Sequence, residues 1–109
     1  MVSVREAIAQ GDLTTFEEVL APDIVWIGPW PGELCRNRAD VLEMFARWRE
    51  HELQLRPEIV LDKDDALVVD GGVADGRHHV LILRDDAVSE VRVYPDRPSA
   101  VAAIEERPW

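Results

Sequence analysis

With 109 residues, the chain has room for one compact domain with a modest core, and residues 1–109 are read as that single domain. Hydrophobic residues make up 47% of it and charged ones 31%, which is the balance of a folded protein rather than a disordered one. Acidic residues outnumber basic ones 22 to 12, for a formal net charge of −10, so charge repulsion argues against nucleic acid or an anionic membrane surface as partner.

The opening "MVSVREAIAQGD" has no long apolar core behind a basic stretch, and no apolar run in the chain approaches a membrane span. Within it, Val4, Ala7 and Ile8 sit at helical spacing over residues 2–10. Gly11 stops that helix and Asp12 caps a second. In "LTTFEEVL", Leu13, Phe16, Val19 and Leu20 share one helical face, and Pro22 ends the helix. "DIVWI", residues 23–27, is short and β-branched and runs into the turn-rich "GPWPG", so it reads as a strand. The lone Cys35 excludes an intrachain disulfide and a cysteine-built zinc site, and it is expected as a packed thiol in a reducing cytoplasm.

Residues 39–51 carry Val41, Leu42, Met44, Phe45 and Trp48 among charged positions, an amphipathic helix started by Asn37 or Asp40. After Pro57, the runs "EIVL", "ALVVDGGVA", "HHVLIL" and "AVSEVRVY" are separated by "DKDD", "DG" and "RDD". Short apolar or alternating runs between turn residues predict consecutive antiparallel strands. Pro98 opens a short last helix through "SAVAAIEE". Helices first and a meander after mean α+β. A sheet of this kind can curl around its helices, enclose a small apolar pocket and leave its outer face for a second copy of the chain, a homodimer.

The adjacent His78 and His79 are the most chemically suggestive pair. Strand alternation sends them to opposite faces, His79 with Leu81 and Leu83, His78 with Val80 and Ile82. They therefore cannot chelate one metal, and neither a metal nor any other cofactor is expected. If Asp75 and Gly76 form a two-residue hairpin turn, Gly72 pairs with His79 and Asp70 with Leu81, which puts Asp70 on the pocket face with His79. A carboxylate that fixes the tautomer of an imidazole raises its basicity, so Asp70 and His79 are the expected catalytic pair. Phe16, Trp26, Trp30, Phe45, Trp48 and Leu81 are the expected ligand-binding wall, Trp30 at its mouth. His51, in "REHEL", lacks the second histidine of a zinc motif and reads as a solvated helix end.

The stretches "AIAQGDLTTFEEVLAPDIVW", "CRNRADVLEMF" and "HVLILRDDAVSEVRVYPDRPSAV" resemble the nuclear transport factor 2-like superfamily, in particular the SnoaL-like short proteins related to polyketide cyclases and ketosteroid isomerases. The resemblance implies a cone-shaped fold of three helices on a curved, largely antiparallel sheet with a short C-terminal helix. It also implies an isomerase- or cyclase-type proton transfer on a carbonyl-bearing hydrophobic small molecule, with a non-catalytic ligand-binding or dimeric assembly module as the alternative. Matched position by position, the general-base aspartate of the isomerases falls on Gly28 and their oxyanion tyrosine on Val4, while a second oxyanion donor falls on His79. The epoxide hydrolases of the superfamily, a further alternative, use an Arg-x-Asp strand that has no counterpart here. Tyr94 and Asp96 match the closing "Y-x-D", the tyrosine as packing and the aspartate as a turn or cap.

Overall fold

The computed structural model describes residues 3–28, 34–51, 56–71 and 76–107. In chain order these form α1 (Val4–Gln10), α2 (Leu13–Glu17), β1 (Leu20–Ile27), β2 (Leu34–Cys35), α3 (Arg38–Glu50), β3 (Glu58–Asp62), β4 (Ala66–Asp70), β5 (His78–Arg84), β6 (Ala87–Tyr94) and α4 (Arg97–Glu106). The six strands make one open sheet in the order β2-β1-β6-β5-β4-β3. The expected meander is present, β3 through β6 each antiparallel to the next, and β1 adds parallel to β6.

Local chemistry sets the helix boundaries. Ser3 and Glu6 form a reciprocal capping box at α1, and Gly11 closes the helix at φ +68°, a left-handed conformation that favours glycine. Asp12 caps α2, Asn37 caps α3 and Asp96 caps α4, each through its side-chain oxygen. The second helix is shorter than expected. Val19 lies beyond it and Leu20 begins β1, so the strand starts three residues earlier than "DIVWI". Pro22 sits inside a register irregularity between Leu20 and Val25, where a missing N–H disrupts no regular ladder. The "RDD" turn is tight: Arg84 pairs with Ala87, and Asp85 and Asp86 both take positive φ, as a two-residue primed turn demands.

Two hydrophobic clusters lie on opposite faces of the sheet. The larger packs α1, α2 and α3 against the inner face and centres on Val4, Ile24, Phe45, Val41, Leu67 and Val91, all essentially inaccessible to solvent. The smaller joins Ala66, Val68 and Val80 to Ala100 and Ile104 of α4. This corrects one expectation. Burial of Val80 on the outer face comes from α4 of the same chain, because the last helix folds back over β4, β5 and β6 rather than leaving that stretch for a partner.

Ion pairs pin the periphery. Arg5 of α1 reaches Asp62 through two hydrogen bonds, 2.7 and 2.8 Å, and also donates to the Asp64 carbonyl. Arg107 grips Asp65 in the same forked way from the end of α4. The β3–β4 turn is thereby held from both helical layers.

Candidate active site

Strand β5 divides its side chains as alternation requires. His79 faces inward with Leu81, opposite Val69 on β4 and Val93 on β6. Its ring meets Trp26 edge-on, centroids 5.6 Å apart and planes at 68°. Trp26 in turn packs edge-on against Phe45 and Trp48, at 5.7 and 5.9 Å. Arrangements of this kind add about 0.5–1.5 kcal/mol beyond area burial, so the imidazole is held against a rigid aromatic wall. Gly71, just beyond β4, closes the other side: a Cβ there would come within 3.3 Å of His79 Cε1. A side chain at that position would need the imidazole to give way by a few tenths of an ångström.

His79 opens onto a cleft of about 370 Å³ between α3 and the sheet, within the usual size of a small-molecule site. Trp26, Trp48, Val93, Met44, Cys35 and Leu34 supply its apolar surface. Asp40, Glu43 and Arg47 on α3, with Arg77 and His79 on the sheet side, supply charge and hydrogen bonding. The cleft is thus less apolar than the sequence implied. Cys35 is a buried thiol, as expected, and burial pushes its pKa upward, with Asp40 adding to the effect, so it stays protonated.

The expected pairing of Asp70 with His79 does not form. Asp70 lies opposite His78, not opposite Leu81, an offset of three residues along β5. An odd offset exchanges faces, so Asp70 is on the outer side of the sheet. There its Oδ2 lies 3.8 Å from His78 Nε2 and 3.8 Å from Arg97. His78 is buried; its Nδ1 is 2.7 Å from the Gly76 carbonyl oxygen, and Arg97 Nε donates to its Nε2 at 3.3 Å. With Nδ1 protonated toward Gly76, Nε2 is the acceptor that Arg97 requires. This cluster ties the start of α4 to the β4–β5 connection.

The aromatic expectations divide. Trp26 and Trp48 border the cleft, whereas Phe16, Phe45 and Leu81 belong to the core beneath it and do not line it. Phe45 is fully buried, with Phe16 at 6.2 Å and Trp48 at 5.1 Å. Trp30 lies outside the described residues. Val4, where the related isomerases carry a tyrosine, is packed in the core, and Gly28 offers no side chain. Sequence reasoning missed Arg77 and Gly71. Arg77 could have been found by parity, since it lies two residues before His79.

A SnoaL-like domain model matches residues 3–100. The chain belongs to the SnoaL-like domain family. Solved structures agree with the fold at low identity. A nuclear transport factor 2-like protein of unknown function from Burkholderia pseudomallei superposes with a TM-score of 0.64 at 19% identity, covering 91% of this chain and 92% of that one. TerC, crystallised with polyporic acid, gives 0.60 at 18% over 92% and 88%. A Catenulispora acidiphila protein with a ketosteroid isomerase-like fold, in complex with trimethylamine, gives 0.56 at 14% over 92% and 87%. Among curated proteins no relative matches the SnoaL-like chain.

Proposed function

We propose that this SnoaL-like protein binds a carbonyl-bearing, hydrophobic small molecule in the cleft between α3 and the sheet and that His79 moves a proton on it. The observation that carries the reading is the position of His79, a titratable group on the cleft wall, braced by Trp26 and Gly71. An imidazole exchanges protons near neutral pH, and a fixed orientation beside an apolar surface suits it to take a proton from the carbon next to a carbonyl. Trp26 and the half-buried Trp48 give the cleft an aromatic lining that suits a planar ring. Organic molecules bound by TerC and by the Catenulispora protein support the view that this scaffold accommodates small ligands.

The competing reading is a binding module without turnover. The buried Val4 and the bare Gly28 favour it, since two groups used by the isomerases are absent. Screening cyclic ketones, polyketide-like aromatics and epoxides by tryptophan fluorescence, then following product formation by wild type and His79→Gln, separates the two. Turnover lost in His79→Gln with binding retained supports proton transfer; binding without turnover in either protein supports the module. Self-association belongs to the same proposal. Val25 and Ile27 of β1 share the outer face of the sheet, while α4 packs on β4, β5 and β6, and light scattering at micromolar concentration tests it.

A further inference from the structure

The start of α4 hangs on a group that changes charge near neutral pH. His78 is buried on the outer face and engaged at both ring nitrogens, Nδ1 with the Gly76 carbonyl oxygen at 2.7 Å and Nε2 with Arg97 Nε at 3.3 Å. Asp70 Oδ2 stands 3.8 Å from His78 Nε2 and 3.8 Å from Arg97 Nη2. Other ionisable groups surround this cluster. On β6, Tyr94 lies opposite His78, and Arg92, bonded to Glu90 and Tyr94, lies opposite Val80. On β3, Glu58 lies opposite Asp70. Arg77 precedes His78 and borders the cleft on the other side of the sheet. Asp96, the cap of α4, feels the charge of His78. Hydrogen bonds from Ser99 hold the Asp96 carboxyl below the ordinary aspartate range, so the cap stays ionised wherever imidazoles titrate.

We propose that His78 is a proton-operated latch on α4, which holds Arg97 when neutral and releases it when protonated. A neutral ring that donates from Nδ1 to Gly76 has a lone pair on Nε2 for the Arg97 N–H. Protonation places an N–H on Nε2, which then cannot accept and confronts a guanidinium of like charge. The same N–H finds an acceptor of opposite charge in Asp70, already 3.8 Å away. Arg97 is the neighbour able to leave, because its side chain is 55% exposed whereas His78 is enclosed. The guanidinium swings into water, the carboxylate closes on the imidazolium, and the first turn of α4 loses its tie to the β4–β5 connection. Ala100 and Ile104 keep the rest of the helix on the sheet. The latch works on the outer face, independently of what the cleft binds.

Amide hydrogen exchange by NMR, corrected for intrinsic rates, tests the latch at about pH 5.5 and about pH 7.5, with the His78 ring shifts titrated in parallel. The reporter is the Ala100 amide, which donates to the Asp96 carbonyl in the first turn of α4. In wild type its protection should fall by about tenfold at the lower pH, the scale of one lost hydrogen bond to a charged group. The midpoint should coincide with the His78 ring titration. His51→Gln, at the exposed end of α3, should behave as wild type. Arg97→Gln should show the lower protection at both pH values, and His78→Gln should show no pH dependence. Should His78→Gln fail to fold, Arg97→Gln at its half-exposed position decides. Wild-type protection that does not change with pH overturns the proposal. A wild-type response in Arg97→Gln overturns it too, as does a His78 ring that does not titrate between about pH 5 and pH 8.

Discussion

Replacing Arg5 by alanine removes the clamp between α1 and the β3–β4 turn, and its effect can be worked out. The hydrogen-bonded guanidinium, with help from the Asp64 backbone N–H, lowers the Asp62 carboxyl from 3.8 to about 2. A shift of that size, if wholly realised, is worth about 2.5 kcal/mol. The side chains are 37% and 40% exposed, so solvent screening reduces the expected contribution to about 1 kcal/mol. The sign follows from linkage. A carboxyl whose folded pKa is depressed contributes its full stability above the unfolded value of about 4 and loses it as pH falls toward 2. Urea unfolding at pH 7 should therefore show Arg5→Ala less stable by about 1 kcal/mol, with the gap narrowing between about pH 4 and pH 2. NMR titration of Asp62 should show its pKa rising toward the ordinary aspartate range in the variant. Equal stability at pH 7 together with an unmoved Asp62 would refute the reasoning.

Three further outcomes are expected. Asp86→Gly should stabilise the chain by about 0.5–1 kcal/mol and raise the melting temperature by several degrees, because φ is +63° there and glycine adopts that region without a Cβ penalty. Ala100→Leu should destabilise by about 1–3 kcal/mol in chemical denaturation, since Ala100 is fully buried against the outer face and extra methyl groups have no space. Gly71→Ala should change global stability by less than about 1 kcal/mol, since Gly71 is not held at positive φ, while displacing the His79 ring and weakening cleft ligands; calorimetry and the His79 ring proton shifts report the two effects separately.

The architecture was legible wherever local chemistry decides structure. The span of β6 from Ala87 to Tyr94 and the stop at Gly11 follow from alternation and backbone freedom, and the α3 cap is Asn37, one of the two side-chain oxygens, with Asp40, that the sequence offered. Leu20 and Val19 were misplaced because their spacing continues the α2 pattern, yet pairing with β6 draws the chain into a strand, Val88 donating to the Val19 carbonyl and Leu20 opposite Val88. The two-residue β2 is held by its partner β1 rather than by any periodicity of its own. The register of β4 against β5 was the costly error. "DG" reads as a minimal turn, but Asp70 opposite His78 requires a connection from Gly71 to Arg77. Parity placed His79 on the inner face correctly, since it depends only on alternation within one strand. The partner assignment failed because it depends on connection length.

Deuterium exchange at the carbon next to the carbonyl of a bound ketone, followed by proton NMR in buffered D₂O for wild type, His79→Ala and Asp70→Asn, tests the central claim most directly. Wild type and Asp70→Asn should exchange at similar rates, while His79→Ala should be slower by about 10²-fold or more. Equal exchange in all three, or a loss confined to Asp70→Asn, would contradict a site built on the inner face around His79.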